Sequence, residues 1–93
     1  MSLRPTSGVR YALERTLIDA ARVTYEGHAH RPDDAIALRV HVALPGGAVT
    51  AEVVAPEPHP ELTKQVAALV RAATKAEVAA GQALPRKIVR WRG

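Results

Sequence analysis

The carboxyl-terminal residues carry the densest group of charged side chains in this sequence. Arg86, Lys87, Arg90 and Arg92 lie within the last eight residues, and no acidic residue lies among them. Guanidinium and ammonium groups can contact phosphates, and the single tryptophan, Trp91, could stack on a nucleobase. Alternating basic residues are also typical of an exposed edge strand, where charge prevents aggregation. Both interpretations place this end of the chain at a surface.

A second polar cluster lies nearer the amino terminus. His28 and His30 are two residues apart, and Asp33 and Asp34 follow them closely. Imidazoles and carboxylates are metal ligands, but a zinc site needs three or four ligands held by rigid elements. Residues 27–34 have the composition of a polar loop, for which exposure to solvent is the simpler interpretation. The sequence therefore predicts no metal site and no cofactor.

The residues needed for covalent catalysis are sparse. Nucleophilic catalysis requires a serine, threonine or cysteine paired with a base, and this chain has no cysteine. Ser2 and Ser7 lie in or beside the amino-terminal lead, and the only adjacent carboxylates are Asp33 and Asp34. The glycine pair at residues 46–47 does not match a phosphate-binding loop. We therefore predict that the chain is not an enzyme.

Length and composition indicate one small basic domain. The 93 residues predict a single domain over residues 1–93, with residues 1–6 as a flexible lead. The formal net charge of +4 is concentrated at the carboxyl-terminal end. No apolar run is long enough to span a membrane, and the amino terminus lacks the apolar stretch of a signal peptide. Membrane insertion by this segment is therefore not predicted.

The elements that would position these side chains begin with a central hairpin. In residues 35–44, Ile36, Leu38, Val40 and Val42 alternate with smaller or polar residues, which is the period of a strand. A second alternating run follows at residues 48–55. Glycine in the Pro-Gly-Gly sequence between them can adopt the positive φ of a tight turn. The pattern predicts two antiparallel strands with one apolar face.

Helices are predicted on both sides of that hairpin. Apolar residues three or four apart predict a first helix over residues 7–25, which Gly27 would end. An alanine-rich segment predicts a second helix from Glu61 to about Ala80, with Pro60 suited to its first turn. Residues 86–91 then predict a last strand. Its charges and the preceding proline favour an edge position.

These elements predict an α+β fold in the order α-β-β-α-β. The economical arrangement is a three-stranded antiparallel sheet with two helices on one face, which buries the apolar side of the hairpin. Such a sheet has two free edges, and their unpaired N–H and C=O groups can receive another strand. The predicted partner-binding residues are Arg86, Lys87, Ile88, Val89, Arg90 and Trp91.

The segment from residue 36 to residue 89 resembles the carboxy-terminal domain of the TonB and TolA family of bacterial envelope proteins. The resemblance is carried by the strand at residues 38–42, the Gly47-Ala48-Val49-Thr50 turn, residues 59–62, the alanine-rich helix at residues 67–76, and the Leu84-Pro85 pair before the last strand. It implies a non-enzymatic module, without a cofactor, that binds other proteins by adding strands edge to edge.

The leading functional prediction is therefore a protein-interaction module that pairs through a sheet edge with a protein, a peptide or a second copy of itself. The alternative is a small basic nucleic-acid-binding domain that uses the carboxyl-terminal Arg/Lys cluster. A third interpretation is an oligomeric structural subunit. The expected compartment is the cytoplasm if the chain is complete, and the periplasm if it is a domain of an anchored envelope protein.

Overall fold

The computed structural model describes residues 8–54 and 57–92, which form five strands and one helix. The elements are β1 (Val9–Ile18), β2 (Arg22–His30), β3 (Ala35–Ala43), β4 (Val49–Val53), α1 (Pro60–Ala80) and β5 (Lys87–Arg92). All five strands form one antiparallel sheet in the order β4-β3-β2-β1-β5. The helix α1 packs on one face of this sheet, nearest to β4 and β3.

The predicted α-β-β-α-β order, with three strands and two helices, is wrong. The segment predicted as a first helix, residues 7–25, contains β1 and the beginning of β2. Val9 and Leu13 are four residues apart, a spacing that places two side chains on one face of a helix and also on one face of a strand. Tyr11 lies between them and is fully buried, which is consistent only with the two-residue period of a strand.

Two local features explain why this segment forms a hairpin. The Asp19 side chain accepts hydrogen bonds from the N–H groups of Ala21 and Arg22, at 2.7 and 2.9 Å, and so stabilises the turn between β1 and β2. Gly27, which was expected to end a helix, lies within β2 instead. A Cβ atom there would overlap the carbonyl oxygen of Ala12, so glycine permits the close approach of β1.

The remaining elements follow the sequence prediction closely. The β3–β4 hairpin is confirmed, and Gly47 in its turn has a φ of 80°. The helix begins at Pro60 and ends before Gly81, which has the left-handed φ of 66° typical of a helix C-cap. The α+β character of the chain is confirmed. The predicted lead, residues 1–6, lies outside the described residues.

The core lies between α1 and the sheet face that the helix covers. Its two tyrosines keep their hydroxyl groups satisfied while their rings are buried. Tyr11 donates to Gln65 Oε1 on α1 at 2.6 Å, and Tyr25 donates to the carbonyl oxygen of Pro85 at 2.6 Å. The buried apolar residues are Tyr11, Leu13, Val23, Tyr25, Ala29, Leu38, Val40, Val42, Leu62, Val66, Leu69, Val70, Leu84 and Ile88.

Candidate functional site

The predicted partner-binding residues lie on β5 and immediately before it. β5 is an outer strand of the sheet, paired with β1 on one side. No other strand of residues 8–54 and 57–92 pairs with its second side. The edge position predicted for this strand is therefore confirmed, whereas the partner-binding role of its residues stays a prediction.

The hydrogen bonding between β1 and β5 determines which main-chain groups are available at this edge. Arg15 N–H donates to the carbonyl oxygen of Arg86 at 2.8 Å, which continues the antiparallel register in which Glu14 faces Lys87. In an antiparallel pair, alternate residues direct their N–H and C=O groups toward the partner strand. The residues directed toward β1 are therefore Arg86, Ile88, Arg90 and Arg92. The residues directed outward are Lys87, Val89 and Trp91.

The outward-directed residues also place their side chains on the open face of the sheet, opposite α1. Val89 is 41% exposed and Trp91 is 60% exposed, whereas Ile88, on the covered face, is 1% exposed. The Arg10 guanidinium carbon lies 5.8 Å from the centre of the Trp91 ring, within the range of a cation–π interaction. Ile88 therefore anchors β5 to the core, and Val89 and Trp91 present apolar surface beside the outward-directed hydrogen-bonding groups.

One of those outward-directed groups already has a partner. The Arg90 Nη1 atom donates a hydrogen bond to the carbonyl oxygen of Val89 at 2.8 Å. This contact agrees with the outward direction of the Val89 carbonyl deduced from the pairing with β1. Any strand that pairs with this edge must displace the Arg90 guanidinium from that oxygen.

The basic residues of this end do not form a single patch. Because β5 alternates, Lys87 lies on the open face, whereas Arg90 and Arg92 lie on the side of α1. The positive charges therefore follow both sides of one edge. This distribution could not be read from the charge count alone, because it depends on the phase of the strand.

The loop that precedes β5 is fixed from two sides. Tyr25 donates to Pro85 as described above, and Arg15 Nη1 donates to the carbonyl oxygen of Leu84 at 2.7 Å. Burial raises the pKa of the Tyr25 hydroxyl, an effect that nearby Glu77 reinforces and Arg15 opposes. The hydroxyl therefore remains a hydrogen-bond donor at neutral pH, and β5 begins at a defined position.

A shallow depression of about 510 Å³ lies on the open face next to β5. Its floor includes the small residues Ala12 and Gly27, and its walls include Arg10, Glu14 and Lys87. On β1, Ala12 lies on the open face between the longer side chains of Arg10 and Glu14, which leaves room for the depression. Sequence reasoning missed it, since residues of β1 and β2 were assigned to a helix and a loop.

The histidines that were predicted to lie in a polar loop are part of β2. The rings of His28 and His30 are 5.6 Å apart on the open face. Of the acidic and histidine side chains that the structure describes, no three are arranged to hold a metal ion. The loop itself is restricted to residues 31–34, where the Arg31 guanidinium pairs with the Asp34 carboxylate.

A second histidine contact resembles part of a catalytic triad. Thr24 Oγ1 and His41 Nδ1 are 2.9 Å apart, and His41 Nε2 lies 3.6 Å from Glu52 Oε1. However, β2 is paired with β1 and β3 on both sides, and this pairing uses the N–H groups that an oxyanion would need. We therefore interpret the contact as a cross-strand hydrogen bond that stabilises the open face.

Comparisons with known proteins were made by sequence and by structure. No family model matches this chain, and neither the curated proteins nor the solved structures provide a match. The resemblance to the TonB and TolA family therefore stays a prediction from the sequence. In the part of the chain that the structure describes, no helix has both the length and the apolar character needed to cross a membrane.

Proposed function

We propose that this chain is a non-enzymatic protein-interaction module that binds its partner by strand addition at the β5 edge. The observation that carries the proposal is the coincidence of two properties on one side of β5. Lys87, Val89 and Trp91 direct their N–H and C=O groups outward, and two of them also expose large apolar side chains. An added strand would use both properties at once.

Each property has a separate role in binding. Main-chain hydrogen bonds to β5 supply a fixed register, because an antiparallel or parallel ladder accepts only certain alignments. The exposed surfaces of Val89 and Trp91 supply apolar contact, and tryptophan is a frequent hot-spot residue in interfaces. Ile88 holds the strand against the core, so the edge is presented on a rigid support.

Nucleic-acid binding on the open face is the second candidate. Arg10 lies opposite Trp91 on one side and opposite His30 on the other, so three planar side chains form a row across β5, β1 and β2. Planar side chains on a sheet can stack on bases. Glu14 and Glu26, which face each other on the same surface, would repel phosphates. Strand addition therefore remains the better supported candidate.

The β4 edge offers a matched control for testing strand addition. Ala43 N–H donates to Ala48 O, and Val54 N–H donates to Ala37 O, so the intervening Val53 directs its N–H outward. A proline at Val53 or at Val89 therefore removes one outward donor without removing a ladder bond within the sheet. Val89→Pro and Val53→Pro block different edges, and Val53→Pro also replaces a side chain that packs against the core.

The experiment selects binders from a library of displayed linear peptides and measures each purified peptide by fluorescence polarisation. We expect Val89→Pro to weaken binding by about tenfold or more and Val53→Pro to change it by less than about twofold. Circular dichroism confirms that both variants fold. Equal binding of the selected peptides to wild type and Val89→Pro would refute strand addition at β5.

Sedimentation of the protein alone tests whether a second copy is the partner. If β5 pairs with itself, the mass should rise with concentration in wild type and in Val53→Pro but not in Val89→Pro. A monomer at all concentrations assigns the edge to a different chain, provided that the selected peptides bind as expected.

A further inference from the structure

We propose that the β5 edge is selective for an acidic, extended partner segment in which acidic and apolar residues alternate. This inference rests on the proposed function and adds the chemical class of the partner. It also assigns a role to Arg90, whose guanidinium blocks the edge until a carboxylate displaces it.

The first argument is charge. The edge carries Arg86, Lys87, Arg90 and Arg92, and Arg10 lies against Trp91 on the neighbouring strand. None of these side chains takes part in an ion pair of the described residues, and the acidic residue directly opposite the edge is Glu14, across from Lys87. A partner strand with carboxylates would complement this charge, and a basic or neutral strand would not.

The same argument disfavours a second copy of this chain. An antiparallel pair must match outward-directed residues with outward-directed residues, and the pairing with the greatest overlap is centred on Val89. That pairing places Arg86 opposite Arg92 of the second copy at both ends. Like charges placed directly opposite each other destabilise a strand pair.

The second argument is the hydrogen bond from Arg90 to the Val89 carbonyl. A neutral strand that uses this carbonyl must release the exposed guanidinium to water. A carboxylate on the incoming strand offers the guanidinium a stronger, charge-assisted interaction and frees the carbonyl at the same time. Arg90 therefore opposes neutral strands and favours acidic ones.

The third argument is the alternation of β5 itself. Arg90 and Arg92 lie on the helix side of the edge, and Val89 and Trp91 lie on the open side. Residues that face each other on paired strands share one side of the sheet. The preferred segment therefore has acidic residues on one face and apolar residues on the other, and a one-residue shift would exchange them.

The test compares three short labelled peptides by fluorescence polarisation. One alternates Glu with Val, one alternates Gln with Val, and one contains the Glu and Val residues in two separate blocks. We expect the alternating Glu-Val peptide to bind wild type about tenfold more tightly than either of the others. The block peptide has the same charge, so it shows whether the pattern matters.

The substitution Arg90→Ala should change the two alternating peptides in opposite directions. We expect about tenfold weaker binding of the Glu-Val peptide and about two- to threefold tighter binding of the Gln-Val peptide, because the carbonyl is no longer blocked. Arg71→Ala removes the same charge from an exposed position on α1 and should leave both affinities within about twofold of wild type.

The outcomes separate this inference from the proposed function. Equal affinity for the two alternating peptides, or parallel changes in Arg90→Ala, would overturn the selectivity while loss of binding in Val89→Pro would still support strand addition. Glu-Val binding that survives in Val89→Pro would overturn both. The selectivity would also be overturned if the Glu-Val peptide failed to bind wild type. It would be overturned as well if single-stranded DNA bound more tightly than the Glu-Val peptide and kept this affinity in Val89→Pro.

Discussion

Among residues 8–54 and 57–92, the two outer strands of the sheet, β4 and β5, each have a partner strand on one side only, but they differ in how their side chains are used. On β4, the outward-directed residues Val49, Ala51 and Val53 point their side chains toward α1 and are half-buried against the core. On β5, the outward-directed Val89 and Trp91 point their side chains away from the helix and are exposed. The same topology therefore produces one edge with covered apolar residues and one with free apolar residues.

This difference shows that position at the edge of a sheet does not by itself identify a binding site. The phase of the strand, meaning which of its residues face outward and on which side of the sheet their side chains lie, matters as well. If β5 were shifted by one residue, Ile88 would lie on the open face and Val89 would lie in the core. The outward hydrogen-bonding groups would then belong to Arg86, Ile88 and Arg90, and Val89 and Trp91 would lie on the covered face. Phase is thus the property that makes β5 the better candidate for partner binding.

The largest effect on the free energy of unfolding is expected from proline at positions whose N–H groups donate to the neighbouring strand of the sheet. Arg90→Pro should remove the ladder bond to β1, and Thr50→Pro the corresponding bond from β4 to β3, each destabilising the protein by about 3 kcal/mol or more. Val89→Pro and Val53→Pro should have a much smaller effect, because their N–H groups face outward. Urea unfolding of the four variants measures this directly. Similar losses for Val89→Pro and Arg90→Pro would show that the phase of β5 is wrong.

A smaller effect is expected from shortening the side chains that attach each outer strand to the core. Ile88→Ala should reduce the free energy of unfolding by about 2 to 4 kcal/mol, because Ile88 is fully buried. Val53→Ala should reduce it by about 1 kcal/mol, since Val53 is only partly buried. If the two losses were equal, β5 would not depend on a single anchor.

A still smaller effect at neutral pH is expected from Tyr25→Phe, which removes the hydrogen bond to Pro85 before β5. We expect the free energy of unfolding to fall by about 1 kcal/mol. Relative to wild type, hydrogen exchange should accelerate more for the amides of β5 than for those of β4. Unchanged exchange on β5 would indicate that this contact does not position the strand.

The same substitution should alter stability in alkali. Burial raises the pKa of both Tyr25 and Tyr11 in the folded protein. Their contribution is therefore complete below about pH 10, the pKa of an exposed tyrosine, and is lost as the pH rises toward the folded value. Each tyrosine should lower the unfolding free energy by up to about 1.4 kcal/mol per pH unit in that range. Tyr25→Phe should show about half of the wild-type slope.

The smallest effect is expected on the open face, away from β5. Arg39 lies 3.5 Å from Glu26 Oε2 and 3.4 Å from Glu52 Oε1, but all three side chains are substantially exposed. Arg39→Ala should change the unfolding free energy by about 0.5 kcal/mol or less, and this change should shrink in high salt. If Arg39→Ala lowered the unfolding free energy as much as Ile88→Ala, the ion pairs of Arg39 with Glu26 and Glu52 would stabilise the sheet more than their exposure indicates.

The second half of the fold could be predicted from the sequence because its patterns are unambiguous. Strict alternation identifies β3, and alanine-rich helical spacing between Pro60 and Gly81 identifies α1. The first half could not, because the four-residue spacing of Val9 and Leu13 fits a helix and a strand equally well. The hydrogen-bonding capacity of Asp19 for a turn was the local signal that a hairpin was present.

The candidate site was predictable in position but not in geometry. The charges and the proline before Arg86 correctly indicated an edge strand. The directions of the main-chain groups depend on the register with β1, and β1 itself was missed. The contact from Arg90 to the Val89 carbonyl follows from those directions, so no sequence pattern could reveal it.

The connectivity of the sheet has a consequence for folding order. β1 to β4 pair with their neighbours in sequence, whereas β5 pairs with the first strand, so that Val9 meets Arg92 across nearly the whole chain. Hairpins form quickly, and a contact between distant segments closes a long loop. We therefore expect strands β1 to β4 to pair first. The outer side of β1 then stays unpaired until β5 docks. During that interval a neighbouring molecule's β5 can occupy the same place, which makes strand exchange the characteristic misfolding route of this topology.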